Sequence, residues 1–279
     1  MATRTKVRRP APLVDRKSAA VAEESFFERL GANMNVTMGI YNPLDNRTYD
    51  ASPRNRVVKQ IDDRSSDVKA IIKKHADRDL MKTYEEMPKN LVQAYEILHK
   101  ELLGPKTVRV VIAGASFSPI EELVKKGSSQ QRTAPEELLR MKDLVAVNPN
   151  AFYYIGAFAT VGWEESAKSA LIGPNFLIAL CDQLGEAWRT WFAPDARWRA
   201  AARVFDLTTE DEKIEAIQRF VKKNTAKLLM DEMTEDFVFD ELGYSIPIIR
   251  EAFETMSTED PFLKFDTSTR PFRLTRTYG

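Results

Sequence analysis

The sequence is poor in the residues on which most catalytic and metal-binding chemistry depends. Of its 279 residues, one is cysteine, two are histidine and eleven are glycine. The lone Cys181 excludes a disulfide framework and a thiolate metal cluster. His75 and His99 leave little for metal ligation or for acid–base chemistry, and no glycine-rich phosphate loop is present. We therefore expect no metal, no cofactor and no enzymatic activity.

Long hydrophobic runs are also missing. No segment approaches the roughly 18 consecutive apolar residues that cross a bilayer, and the basic N-terminus lacks the apolar stretch of a secretory signal. Hydrophobic residues nevertheless make up 43% of the chain, which is enough for a substantial core. These features predict a soluble intracellular protein with no membrane partner.

The net charge of zero conceals an uneven distribution. The 41 basic and 41 acidic side chains cancel over the whole chain. Residues 1–17 carry six bases and one acid, a net charge of +5, and residues 262–279 carry four bases and one acid, a net charge of +3. Residues 207–261 hold fourteen acids against six bases, a net charge of −8. This pattern predicts two basic arms and an acidic surface that could receive them.

Most of the chain shows the apolar spacing of helices. Leu91, Tyr95, Leu98 and Leu102 form one stripe, and an apolar run from 175 to Trp191 follows a Gly–Pro–Asn turn. Capping boxes at Thr133 and Thr209 predict two further helix starts. The expected helices cover residues 66–80, 88–102, 118–126, 133–147, 175–191, 209–228 and 246–256.

Strand signals are sparse. Residues 107–113 (TVRVVIA) are β-branched and predict one strand, and residues 35–41 are a second candidate. Because the two candidate strands are not part of a repeated strand–helix–strand pattern, a parallel-sheet fold is disfavoured. We predict a mainly α protein with at most a minor β element. Its parts are a basic N-terminal arm (1–25), a helical core (26–261) with a candidate lobe boundary near 126–133, and an extended C-terminal arm (262–279).

The two arms are candidate subunit contacts. Aromatic side chains alternate with basic ones near the C-terminus, and aromatic rings gain most when they are buried against a surface. The residues expected to contact a neighbouring subunit are Arg8, Arg9, Phe262, Phe265, Phe272, Arg273 and Tyr278. The alternative is that the C-terminal tail packs on its own domain.

Arginines and tryptophans are concentrated between Leu180 and Phe220. A helix there would place Arg199 and Arg203 one turn apart on one face. Guanidinium groups bind phosphate oxygens and tryptophan faces stack on bases, so this combination suits single-stranded RNA. The predicted RNA-binding residues are Arg189, Arg197, Trp198, Arg199, Arg203 and Asp206. The alternative is an amphipathic helix with Trp198 and Phe205 in the core and its arginines in surface ion pairs.

This region resembles flexible filamentous plant-virus coat proteins. The segment begins with Leu–Cys, continues with Ala187–Trp188 and is then interrupted by a proline. A short motif follows, and after it a charged helix. The matching residues of that motif are Arg199, Ala201, Ala202, Phe205 and Asp206. The resemblance implies an α-helical core that grips single-stranded RNA, with Arg199 or Arg203 and Asp206 in the groove. It also implies terminal arms that link subunits along a filament.

The leading hypothesis is a viral coat protein or nucleoprotein that forms a helical homopolymer around single-stranded RNA, in the virion and in the host cytoplasm. A nucleic-acid-free assembly protein, such as a phage head, neck or tail component, is the first alternative. An α-helical enzyme with carboxylate-bound metal is the second. Bound nucleic acid distinguishes the first two hypotheses, and at least three converging acids would mark the third.

Overall fold

The computed structural model of the protein describes residues 11–62, 65–75, 84–101, 104–169, 171–184 and 187–277. The chain forms two compact units, Met1–Leu207 and Thr208–Gly279. Arg8, Arg9 and Tyr278 of the predicted arms lie outside the described residues, as do residues 76–80 of one predicted helix.

The first unit is built on a six-stranded mixed sheet. Its strands are β4 (Arg56–Asp62), β5 (Val92–Lys100), β6 (Lys106–Phe117), β8 (Phe152–Ala159), β9 (Phe176–Leu184) and β10 (Ala187–Phe192). Their order across the sheet is β10-β9-β8-β6-β5-β4. The three central strands β6, β8 and β9 run parallel, and the remaining pairs are antiparallel. Two small antiparallel pairs lie outside it: β1 (Val14–Asp15) pairs with the distant β7 (Ser128–Ser129), and β2 (Gly39–Asn42) forms a hairpin with β3 (Arg47–Asp50).

The helices of this unit cover both faces of the sheet. They are α1 (Arg16–Val36), α2 (Ser65–His75), α3 (Ile120–Lys126) and α4 (Glu136–Val145). Phe26 and Leu30 of α1 pack on one face with Tyr154 of β8. Leu138 and Met141 of α4 pack on the other face. All eight residues of β8 are therefore buried.

The prediction of a mainly α fold is wrong. Tyr95 and Leu98 of the predicted stripe belong to β5, and the described part of the apolar run forms β9 and β10, not helices. Leu102 of the stripe lies outside the described residues. Strands covered on both faces are apolar nearly throughout, so their composition is the same as that of a buried helix. The predicted strand at 107–113 is confirmed as the centre of β6, and the disfavoured parallel arrangement is present.

The second unit is helical with one β-hairpin. It contains α5 (Glu210–Lys223), α6 (Thr225–Leu229), α7 (Glu235–Leu242) and α8 (Ile246–Glu259), followed by β11 (Leu263–Asp266) paired with β12 (Arg273–Arg276). The capping box predicted at Thr209 and Glu212 is confirmed at the start of α5. A core around Ile217, Val238 and Phe253 holds the unit together.

The expectation of extended terminal arms is also wrong for the described residues. Phe265 packs on Phe253 of α8 with ring centroids 5.9 Å apart, and Phe272 packs on Phe265 at the same spacing. Residues 262–277 therefore follow the alternative interpretation, a tail that packs on its own unit. At the other end, α1 begins at Arg16, within the segment expected as an arm. The candidate boundary at 126–133 carries Gly127, which ends α3 with a φ of 76°, whereas the two units divide after Leu207.

Candidate functional site

The predicted RNA-binding residues lie on a strand and on two short turns, not on a helix. Arg189 belongs to β10, the 3-10 turns Ala196–Ala200 and Ala202–Phe205 carry the other arginines and Trp198, and Asp206 directly follows the second turn. The turns form because Asp195 accepts a hydrogen bond from the Arg197 N–H and because Ala201 and Phe205 are buried. The expected one-turn spacing of Arg199 and Arg203 on a helix face is therefore absent.

Arg197 is engaged within the protein. Its Nη2 contacts Asp195 Oδ2 at 2.6 Å and its Nη1 donates to the Gly173 carbonyl at 3.1 Å. The guanidinium hydrogen bond holds the pKa of Asp195 below its ordinary value. Because several of its donors are committed to these partners, Arg197 stabilises the turn and has few left for a phosphate.

Trp198 is a core residue. Its side chain is 4% exposed and lies in the same hydrophobic cluster as Tyr154 and Phe205. The Trp198 ring meets Phe205 edge-on, with centroids 5.8 Å apart. A base cannot stack on a ring that is covered in this way. This placement matches the alternative interpretation of the cluster, with Trp198 and Phe205 directed inward.

Three arginines of the cluster are exposed. Arg189 Nε contacts Asp182 Oδ1 at 2.7 Å across the β9–β10 hairpin. Arg199 and Arg203 are exposed on the turns, and in the part of the chain that the structure describes neither makes an ion pair. The carbonyl of exposed Asp206 accepts a hydrogen bond from Asn33 Nδ2 at 2.9 Å. Arg199 and Arg203 are thus the members of the predicted set best placed to meet a ligand.

A cleft lies at the carboxyl ends of the parallel strands, a common position for ligands in open α/β sheets. One cavity there has a volume of about 470 Å³ and is lined by Trp163, Lys168, Asp182, Arg189 and Trp191, among others. A second cavity of about 340 Å³ lies at the end of β6 beside Asn90 and Ser118. Sequence reasoning missed this cleft, because its location depends on the order of strands that were predicted as helices.

A buried polar cluster borders the smaller cavity. Glu23 of α1 is 4% exposed and accepts hydrogen bonds from the Lys89 and Asn90 N–H groups, each at 2.8 Å. The Ser116 hydroxyl donates to the same carboxylate at 2.5 Å. Burial raises the pKa of Glu23 above its ordinary value of 4.5. With its acceptor sites occupied by structural donors, Glu23 pins α1 to the sheet.

Within the described part of the chain, the sheet has two open edges. Its outer strands are β4 and β10, and among the described residues neither has a main-chain partner on its outer side. On β4, Val57, Val58 and Ile61 are exposed, Val58 by 53%. Unpaired edge strands are templates for pairing with another chain, so the uncovered β4 is a candidate interaction surface.

Groups suited to metal binding are not found in the described segments: no cluster there contains three or more His, Cys, Asp or Glu side chains. Burial raises the pKa of the Cys181 thiol to about 12, so this thiol stays protonated at neutral pH. Over the same residues, no helix is both long and apolar enough to span a bilayer.

Comparisons with known proteins find no relative. No protein-family model matches the chain, and no curated protein and no solved structure is significantly similar to it. The resemblance to flexible filamentous coat proteins therefore stays a prediction.

Proposed function

We propose that this protein is a non-catalytic structural subunit that assembles with copies of itself, as coat proteins and nucleoproteins do. The observation that carries the proposal is the pair of open sheet edges. Strand β4 runs in the same direction as β6, whereas β10 runs in the opposite direction. A β4 edge and the β10 edge of the next copy would therefore meet antiparallel.

Such an edge-to-edge contact is heterologous. A heterologous contact repeats from copy to copy and builds an open filament when the rotation between copies does not close a ring. The exposed apolar side chains of β4 support the contact, because a neighbouring strand would cover part of the exposed surface of Val57, Val58 and Ile61. A filament subunit of this kind would belong in a virion and in the cytoplasm of its host.

The test compares two substitutions of exposed valines. Val58→Lys adds a charge on the open edge, and Val21→Lys makes the same change on the exposed face of α1, where Val21 is 63% exposed. We expect the wild-type protein and Val21→Lys to form polymers visible by light scattering and negative-stain microscopy, and Val58→Lys to remain small. A wild-type protein that is monomeric at high concentration would refute the proposal.

Single-stranded RNA is the second part of the proposal, supported by the exposed Arg199 and Arg203. A protein prepared without nuclease should carry nucleic acid, seen as a raised ratio of absorbance at 260 and 280 nm. Its RNA affinity should fall steeply with salt, because each phosphate contact releases counterions. The double substitution Arg199→Ala, Arg203→Ala should reduce the salt dependence. Polymers without nucleic acid would instead favour a phage head, neck or tail component.

A further inference from the structure

We infer that the larger cavity at the carboxyl edge of the sheet is a binding site for a single nucleobase, with guanine preferred. The inference rests on the proposed RNA binding and names a base-recognition site for it. The cavity, of about 470 Å³, falls within the range of 300–1,000 Å³ that is typical of small-molecule sites. It is formed over β9 and β10 by the segment that follows β8.

The charges around the cavity favour a neutral group. Three cations, Arg132, Lys168 and Arg189, line it together with three anions, Glu164, Glu165 and Asp182. Four of these six charges form two ion pairs: Lys168 Nζ lies 2.7 Å from Glu165 Oε1, and Arg189 Nε lies 2.7 Å from Asp182 Oδ1. A phosphate would gain little from a wall with no net charge, so the base enters while the backbone remains outside.

The floor of the cavity contains an aromatic side chain. Trp191 of β10 is half-buried and pairs in register with Leu180 of β9, and both line the cavity. The Lys168 ammonium lies over the Trp191 ring, 5.5 Å from its centre, so a base that stacks on this face displaces the ammonium. Trp163 is held in place, because its Nε1 donates to the Cys181 carbonyl at 3.1 Å. A tryptophan presented by a rigid strand is a suitable stacking surface for a base.

The Asp182–Arg189 pair gives the preference for guanine. Guanine presents adjacent N–H donors on one edge and acceptor oxygen and nitrogen atoms beside them. Asp182 Oδ2 makes no hydrogen bond among the described residues, and Arg189 uses only Nε on Asp182. The carboxylate is therefore available to accept from the base, and the terminal guanidinium nitrogens are available to donate to it. Adenine, cytosine and uracil do not combine these groups in the same arrangement.

The experiment measures binding of free nucleosides to the full chain by calorimetry, with guanosine, cytidine and glucose as probes. We expect guanosine to bind at least 10-fold more tightly than cytidine, and glucose not to bind. Asp182→Asn should remove the preference for guanosine, because the amide replaces an acceptor with a donor. Trp191→Leu should weaken the binding of every nucleoside, whereas Trp191→Phe should retain most of the wild-type affinity.

Asp143→Asn is the matched control, since the exposed Asp143 of α4 lies outside the cavity, and it should bind guanosine like the wild type. Unchanged far-UV circular dichroism shows that each variant is folded. Three results would overturn the inference: equal affinity for guanosine and cytidine, binding of glucose but of neither nucleoside, or full guanosine affinity in either Asp182→Asn or Trp191→Leu. A wild-type protein that binds RNA but not free guanosine would overturn it without affecting the proposed function. Guanosine binding by a protein that carries no RNA would refute the RNA proposal and leave the cavity as a nucleoside site.

Discussion

The two units of this chain differ in how far apart in the sequence the residues that determine their structure are. In the second unit, α5 begins at a capping box formed by Thr209 and Glu212, three residues apart. In the first unit, β6 and β8 pair through residues such as Ile112 and Tyr154, which are 42 positions apart. Local hydrogen bonds can be identified in a sequence, whereas pairing between distant strands depends on the whole topology. The second unit was therefore the more predictable of the two.

The units also differ in how they hold a buried carboxylate. Glu23 in the first unit is held by N–H and hydroxyl donors, and burial raises its pKa. Glu235 in the second unit contacts Arg250 Nε at 2.6 Å, and this guanidinium lowers the pKa of Glu235. Because the two shifts have opposite signs, the two groups make opposite contributions to stability as the pH changes.

The largest expected effect concerns Trp198, which distinguishes a core residue from an RNA-binding one. Removal of this buried ring by Trp198→Ala should lower the free energy of unfolding by about 3–5 kcal/mol, because it leaves a cavity in the first unit. Arg199→Ala, on the same turn, should change stability by no more than about 0.5 kcal/mol. Urea unfolding followed by far-UV circular dichroism measures both. Near-wild-type stability of Trp198→Ala would show that the ring is not part of the core.

Several local features could be predicted from the sequence, and they are the ones set by short-range chemistry. The stop at Gly127, the strand at 107–113 and the start of α5 are examples. The sheet order could not be predicted, because β8 and β9 are covered on both faces and lack the alternation that marks a strand. The cleft was missed for the same reason. Of the predicted site, exposed Arg199 and Arg203 keep a place in the proposal, whereas Trp198 is a core residue.

An intermediate effect is expected at Glu23. Glu23→Ala leaves two main-chain N–H groups and the Ser116 hydroxyl without their acceptor, at a cost of about 1–3 kcal/mol. Glu24→Ala, an exposed neighbour on α1, is the matched control. Tryptophan fluorescence reports on the first unit, because all four tryptophans lie there. A Glu23→Ala variant as stable as Glu24→Ala would show that the cluster contributes nothing.

The pH dependence sharpens the comparison between the units. The raised pKa of Glu23 gives stability that is complete below pH 4.5 and is lost as the pH rises through the folded-state pKa. The lowered pKa of Glu235 gives stability that is present above pH 4.5 and is lost as the pH falls. Replacement of either group by glutamine should remove its own contribution. Thermal unfolding of both variants at several pH values between 3 and 7 should therefore show differences from wild type that slope in opposite directions.

The smallest effect is expected at the start of α5, where the prediction needs only local geometry. The Thr209 hydroxyl accepts from the Glu212 N–H at 3.2 Å, and Glu212 Oε2 accepts from the Thr209 N–H at 2.9 Å. Thr209→Ala removes the first of these hydrogen bonds and should cost about 1 kcal/mol in the free energy of unfolding. Thr258→Ala, in the last turn of α8, removes an exposed hydroxyl bonded to a helix carbonyl and should be neutral or slightly stabilising, since alanine favours the helix. If the two substitutions had equal effects on the free energy of unfolding in urea, the capping hydrogen bond would add nothing beyond helix propensity. The second unit would then depend on tertiary packing as much as the first unit does.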